Sequence, residues 1–316
     1  MKKLGFAGSG GGAKGAWGAG VSHFLVHDLG REYKALSGTS TGALLMNLVA
    51  TGQTEKLKEA YTNVNNDDIY KTAPYRIKRT KHGIFKTKMN YFKIGWNIFF
   101  KKQKTFGDSS KLREVLIPQF FTKDDYLNLK EFNVELISCV TNLTKGLTEY
   151  KSSFEEEYED FLDWIFASTC AAPFMSLVEK DGCEYADGGY IEHIPIQVLI
   201  DKGCTEIDVI EHAAPEIEIE KIRNPLHLVS RLMDITMWEN AKNDLVVAGL
   251  KAADEDVILN FYQPNRKLTN NSLVFDQQTM ESWWEEGYNS AKQQHCKKYI
   301  ISKGKKAKLI SNNSTL

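Results

Sequence analysis

Nowhere in this 316-residue chain do apolar residues run on for the ~18 positions that a membrane-crossing helix needs. The opening MKKLGFAGSG is basic, but the apolar stretch of ~7–15 residues that follows in a secretory signal is missing. Cysteine is scarce. The five cysteines, at 139, 170, 183, 204 and 296, are odd in number and widely spaced, with no C-x-x-C. That excludes a disulfide framework or a cysteine zinc site and fits a reducing compartment. An excess of one charge is also lacking: 40 Lys/Arg stand against 41 Asp/Glu, a net charge of −1. A globally basic nucleic-acid binder is excluded. There is no internal repeat and no linker composition. The absences predict one cytoplasmic domain over residues 1–302, with a polar, disordered tail over 303–316.

What is present is enough for a large core: 42% hydrophobic and 11% aromatic residues. Glycine is concentrated at one end. The stretch GFAGSGGGAKGAWGAG, from Gly5 to Gly20, holds eight glycines in sixteen residues. Glycine loses more freedom on folding than any other residue, so this density implies close approach to the backbone. KLGFAG reads as a short buried strand. From Lys14 the apolar residues Trp17, Val21, Phe24, Leu25 and Leu29 fall at helical spacing, and Gly30 reads as a stop. YKALSG is a second strand, and TGALLMNLVATG a second helix ending at Gly52. Strand, helix, strand, helix is the grammar of a parallel α/β sheet. The expected fold is a three-layer α/β/α sandwich with a mainly parallel central sheet. FNVELISCV, CEYADGG, TEIDVIEH and DVILNFYQ read as further strands. EEEYEDFLDWIFAS, the run from Leu226 to Ala253 and TMESWWEEGYNSAKQQ read as helices.

Three pieces can make one site. Gly10, Gly11, Gly12, Ala13, Lys14 and Gly15 join a strand end to a helix start, where unpaired N–H groups and the helix dipole favour negative charge. Such a loop holds a phosphate or a developing oxyanion. The spacing Gly10-x-Gly12-x-x-Gly15 also fits a dinucleotide fingerprint, but the second strand ends in Ser37-Gly38 without the acid that reading needs. The Walker pattern fails because Lys14 lies between Ala13 and Gly15. The second piece, Gly38-Thr39-Ser40-Thr41-Gly42, is G-x-S-x-G at a strand end, the nucleophile elbow; the plain alternative for Ser40 is a helix N-cap. The third is a base, since a serine hydroxyl needs a partner to take its proton. None of the seven histidines has a recognisable hydrolase setting, although His193, His212 and His227 follow the serine in a permissible order. Asp187-Gly188-Gly189 follows a strand, and its glycines allow close approach to another loop; a hairpin turn is the plain reading.

In this order the three pieces resemble the patatin-like phospholipase family. GGGAKG matches its G-G-G-x-[RK]-G, GTSTG its serine elbow, FASTCAAPF (Phe166 to Phe174) its A-S-x-A-x-P stretch, and DGG its aspartate motif. The similarity covers residues 3–296. His193 departs from the pattern, where the family often has Asn. The resemblance implies a lipid acyl hydrolase with Ser40 as nucleophile and Asp187 as base. It implies an oxyanion hole from Gly10, Gly11, Gly12 and Ala13, supported by Lys14, Gly15, Gly38, Gly42, Gly188 and Gly189. It implies an acyl-lipid substrate such as phospholipid, and no metal or other cofactor. Two other readings are a Ser-His-Asp α/β-hydrolase and a non-catalytic lipid- or nucleotide-binding module on the same fold.

Residues 69–107 stand apart, with eleven Lys/Arg, nine aromatics and no acid. Three readings compete here: a core helix with snorkelling lysines, a nucleic-acid surface, and a cap that docks on anionic membrane through Lys93, Lys101, Lys102 and Lys104. The last is expected of an enzyme that must meet a lipid interface.

Overall fold

The computed structural model describes residues 2–79, 85–216, 219, 221–222, 225–269, 271–293, 297–300 and 308–310. Its strands are β1 (Leu4–Gly8), β2 (Ala35–Thr39), β3 (Tyr75–Arg79), β4 (Phe85–Met89), β5 (Glu135–Asn142), β6 (Leu147–Ser152), β7 (Val178–Lys180), β8 (Cys183–Asp187), β9 (Glu206–Ile210), β10 (Ile258–Tyr262), β11 (Lys297–Ile300) and β12 (Lys308–Ile310). Its helices are α1 (Gly15–His23), α2 (Thr41–Thr51), α3 (Thr54–Thr62), α4 (Asn66–Ile69), α5 (Tyr91–Lys101), α6 (Ile117–Phe120), α7 (Lys123–Glu131), α8 (Tyr158–Thr169), α9 (Gln197–Asp201), α10 (Pro225–Asp254) and α11 (Gln277–Lys292). Of the expected tail, β12 is described and pairs with β11. The rest of 303–316 lies outside the described residues, as do His82, His295 and Cys296.

The centre of the sheet is parallel. β10, β9, β1, β2 and β5 lie side by side in that order, all pointing one way. Chain order reverses around β1, with β2 on one side and β9 on the other, so the crevice for a ligand opens at the strands' carboxyl ends. Antiparallel strands complete the sheet, with β11 and β12 beyond β10 and β6 along the outer edge of β5. Burial on both faces explains why the strands read as apolar runs without alternation. Within them, successive residues serve opposite layers. Phe6, Leu36 and Leu136 join the core beneath α1, α2, α8 and α11, while Ala7, Ala35 and Ile137 join the core beneath α9 and α10. This is the three-layer α/β/α arrangement.

One register decides the site. β2 pairs with β5 from Ala35↔Glu135 to Thr39↔Cys139. β8 pairs with β5 from Asn142↔Tyr185 to Val140↔Asp187. β6 occupies the other edge of β5 along Ile137 to Asn142. Each residue of β5 has only two sides, so β2 and β8 share one edge and meet carboxyl end to carboxyl end. Ser40, just past Thr39, and Asp187 thus converge from strands nearly 150 residues apart in sequence.

The glycines of α1 serve helix packing as well as the loop. A Cβ on Gly20 would lie 1.9 Å from the Trp284 carbonyl oxygen, and one on Gly287 would lie 2.0 Å from that of Trp17. The α1 and α11 backbones therefore touch. Within residues 69–107, Ile69 and Tyr70 join the main core, β3 and β4 pair antiparallel, and α5 follows. Among the described residues, no helix is long and apolar enough to cross a membrane.

Gly20→Ala overpacks the α1–α11 contact and should cost about 1–3 kcal/mol. Gly95→Ala, on α5 with nothing within 4 Å of the added Cβ, should be neutral or stabilising by up to ~1 kcal/mol. Urea midpoints of the two variants and the parent check this; equal midpoints for both would remove the close-packing account.

Candidate active site

β1 ends at Gly8, and the chain turns through the glycine loop into α1. Its peptide groups can be accounted for singly. The Ser9 N–H donates to the Ile210 carbonyl at 2.9 Å, the Gly10 N–H to His193 at 3.2 Å, and the Ala13 N–H to Ser272 at 2.8 Å. Gly12 sits at φ +55°, and a Cβ there would lie 2.3 Å from the Ser272 carbonyl oxygen, so only glycine fits. Among the described residues, the Gly11 and Gly12 N–H groups have no acceptor, and both residues line the same cavity as Ser40 and Asp187. The four expected donors thus divide in two: Gly10 and Ala13 are tied to the protein, and Gly11 and Gly12 are open.

Ser40 has φ 55° and ψ −123°, a conformation that costs a non-glycine residue about 1–3 kcal/mol. The strain is held from several sides. The Ser40 N–H donates to Ser168 Oγ at 2.9 Å, and Ser168 Oγ donates to the Cys139 carbonyl at 2.6 Å. Gly42 packs onto β1: a Cβ there would lie 2.1 Å from the Gly8 carbonyl oxygen. Gly38 in turn faces the backbone of Gly42, and Gly15 faces Thr41. Ser40 stands at the N-cap position of α2, but its side chain makes no capping hydrogen bond among the described residues.

Asp187 ends β8 and is 1% exposed. Its N–H donates to the Cys170 carbonyl at 3.0 Å. Thr141 Oγ1 donates to its carbonyl at 2.9 Å, and the Gly189 N–H donates to its carboxylate at 2.9 Å. Burial pushes its pKa from 3.8 up to about 6, against the pull of the Ser40 hydroxyl and the Gly189 N–H. Gly188 lies against β5, where a Cβ would be 2.4 Å from the Cys139 carbonyl oxygen. Cys170 is buried beside Asp187, and burial raises its thiol pKa well above the ordinary range.

The histidines take other places. His193 is 4% exposed, packs under Gly10, and has Nε2 3.9 Å from a Glu211 carboxylate oxygen. His212 Nδ1 lies 3.0 Å from Ser9 Oγ. Burial, with Lys14 nearby, pushes both imidazoles down to about 3, so they are neutral. Neither hydrogen-bonds to Ser40 among the described residues. Lys14 lines the cavity partly buried; burial lowers its pKa while Glu211 and Asp234 oppose that. Ser168, Ser272 and Glu211 were not singled out by sequence reasoning, although Ser168 lay within the FASTCAAPF stretch.

The cavity is about 820 Å³. Its lining includes Gly11, Gly12, Lys14, Ser40, Asp187 and His193, the apolar Leu48, Val64, Ile69, Leu112, Phe121 and Met175, and the charged Lys88, Arg231, Asp234 and Lys267. Such a lining fits a ligand with one polar reacting group on an apolar tail.

A family model described as patatin-like phospholipase matches residues 7–200, more than half of the chain. No curated protein matches. Among solved structures, VipD from Legionella pneumophila aligns at 15% identity and a TM-score of 0.48, over 95% of this chain and 68% of that one.

The buried carboxyl of Asp187 yields a stability prediction. It binds its proton more tightly folded than unfolded, so folding loses stability as pH rises from about 4 to about 6. Asp187→Asn should therefore be more stable than the parent at pH 7.5 by an amount on the order of 2–3 kcal/mol. The difference should close as pH falls to about 4. Denaturant melts at the two pH values check this; a destabilised Asn variant at pH 7.5 would contradict it.

Proposed function

We propose that this chain, which belongs to the patatin-like phospholipase family, hydrolyses fatty-acyl esters of lipids through a Ser40–Asp187 dyad. The observation that carries this reading is a strained serine beside a buried carboxylate of raised pKa, both lining one large cavity with many apolar side chains. Ser40 Oγ attacks the ester carbonyl carbon while its proton passes to Asp187. The carbonyl π electrons move to oxygen, and that oxyanion sits on the Gly11 and Gly12 N–H groups, with Lys14 adding positive potential. Loss of one such donor typically costs ~10²–10³ in rate. The intermediate collapses, the C–O bond to the alcohol breaks, and Asp187 returns the proton to the departing oxygen. Water then attacks the acyl-enzyme and gives its proton to Asp187. Collapse releases the fatty acid and restores the Ser40 hydroxyl. A base of pKa about 6 suits neutral conditions, being ionised yet basic enough to take the proton.

The same reading extends to a membrane. α5 exposes Phe92 at 83%, Trp96 at 50%, Phe99 at 81% and Phe100 at 70%, and buries Ile94 and Asn97. That counts against a core helix with snorkelling lysines. Met89, just before α5, and Tyr91, its first residue, line the cavity, so a bilayer touching α5 would lie close to the cavity lining. Lys93 and Lys102 are exposed on this element. Lys104 is engaged instead, paired with Glu179 at 2.7 Å and with Glu184. Each free cation near an anionic surface contributes ~1 kcal/mol.

Ser40→Ala should fold normally and lose hydrolysis of lipid and of soluble short-chain esters. Asp187→Asn should lose labelling of Ser40 by a fluorophosphonate. Full esterase activity in soluble Ser40→Ala would end the proposal. For the parent, kcat/KM on a soluble ester should fall about tenfold from pH 7 to pH 5, as Asp187 takes up its proton; a flat profile would move the base elsewhere. Comparing product lipids from a total lipid extract with and without Ser40→Ala identifies the head group.

Vesicle co-sedimentation checks the docking face, with the Ser40→Ala protein as parent. Binding to anionic vesicles should weaken with added salt, and Phe92→Ser with Phe99→Ser should reduce it more than Lys104→Gln. Binding unchanged by the Phe pair would remove α5 from the interface.

A further inference from the structure

α10 runs across the sheet face beneath the segment that follows Asp187, and two of its residues, one turn apart, make four hydrogen bonds to that segment's backbone. Asn240 Nδ2 donates to the Gly189 carbonyl at 3.2 Å and to the Tyr190 carbonyl at 2.9 Å. One turn later, Asp244 Oδ2 accepts the His193 N–H at 2.7 Å and the Ile194 N–H at 2.9 Å. Donors therefore meet the carbonyls at one end of the segment, and an acceptor meets the amides at the other. Met237, a turn earlier on α10, lies against Gly189.

The clamped segment touches both halves of the site. At its start, the Gly189 N–H donates to the Asp187 carboxylate at 2.9 Å. Near its end, the His193 carbonyl accepts the Gly10 N–H at 3.2 Å. The His193 residue that Asp244 holds by its N–H is thus the one that holds the glycine loop by its C=O. We propose that Asn240 and Asp244 are positioning residues, which set the Asp187 carboxylate and the Gly11–Gly12 donors in one frame. This rests on the dyad reading and names the part of the molecule that keeps the dyad in register.

The geometry explains why one helix serves both. Asp187 is fixed by β5 on one side, but the residues after it leave the sheet and have no ladder partner. Backbone groups buried away from water must be paired. α10 pairs the Gly189 and Tyr190 carbonyls and the His193 and Ile194 amides, while Thr39 Oγ1 and Ser37 Oγ of β2 donate to the Glu192 and Pro195 carbonyls. Asp244 is partly buried, and burial pushes its carboxyl up to about 6 while the two N–H groups pull it back. Glu192 and Glu211 are the other acids around it, and both are raised by burial to about 7.

The test uses the full chain with Asp244→Leu, Asp244→Asn and Asn240→Ala. Four quantities are measured: deuterium uptake in peptides covering 188–196, the rate of Ser40 labelling by a fluorophosphonate, kcat and KM on a soluble short-chain ester, and the melting temperature. In Asp244→Leu, uptake in 188–196 should rise while peptides from β1 and β2 are unchanged. Labelling and kcat should fall about tenfold or more, with KM moving less than about twofold. Asp244→Asn keeps one acceptor oxygen and should recover most of the loss. Asn240→Ala removes two of the four bonds and gives the same signature, smaller, if Asp244→Leu does not fold. A loosened segment with labelling at the parent rate overturns the positioning role, as does unchanged uptake. If the parent itself is not labelled, the dyad reading falls and the positioning role falls with it.

Discussion

Two strands arriving from opposite directions on one edge of β5 hold this site together. β2 stops opposite Cys139 and β8 stops opposite Val140. The chain must leave the sheet at both points, because each strand blocks the other's path. Leaving β2 produces the elbow at Ser40; leaving β8 produces the turn after Asp187. Each side chain is then presented at a strand end, where the parallel sheet opens its crevice. Ser168 reinforces the junction by accepting the Ser40 N–H and donating to the carbonyl of Cys139 on β5.

That junction is costly, and the rest of the molecule offsets the cost. Ser40 is held in a strained conformation and Asp187 is buried against its preference for water. Stability is surrendered at the two residues to which the proposed reaction assigns the chemistry, a trade common at active sites. The compensation is close packing without side chains. Gly38, Gly42 and Gly8 bring β1, β2 and the start of α2 within backbone contact, and Gly20 and Gly287 do the same for α1 and α11. Two fully buried sheet faces supply the apolar burial that outweighs the local strain. The glycine loop then spends Gly10 and Ala13 on tethers, leaving two donors aimed into the cavity.

The cavity and the surface around it share one chemistry. Many apolar side chains line the cavity, and the exposed aromatic residues of α5 follow directly on Met89 and Tyr91, which line it too. In the proposed reaction the acyl chain would lie against these apolar side chains while its ester met the glycine loop. α10 borders the same cavity through Met233 and Met237 before it reaches Asn240. This wall of the cavity and the clamp on the Asp187 segment are thus successive turns of one helix.

Local pattern was enough for much of this. The triple glycine, G-x-S-x-G and D-G-G each demand a backbone shape that few residues allow, so their sequence context already implied tight turns after strands. Strand and helix periodicity implied the layered sheet, because burial repeats at fixed intervals along the chain. The resemblance to a family joined the three motifs into one site. What the pattern did not contain is anything set by register between distant segments. Which of the four loop amides remain free depends on where the His193 and Ser272 carbonyls fall. The role of Ser168 depends on α8 reaching the elbow. Asn240 and Asp244 look like ordinary polar positions of a long helix until that helix crosses the segment after Asp187. The aromatic residues of α5 read equally as core or as surface, since amphipathic spacing gives a helix an apolar face without saying what covers it. The sequence by itself determined the turns and the layers, because those are properties of neighbouring residues. Only the tertiary structure decided the pairings, because a hydrogen bond between residues far apart in the chain exists only once the sheet has set their distance.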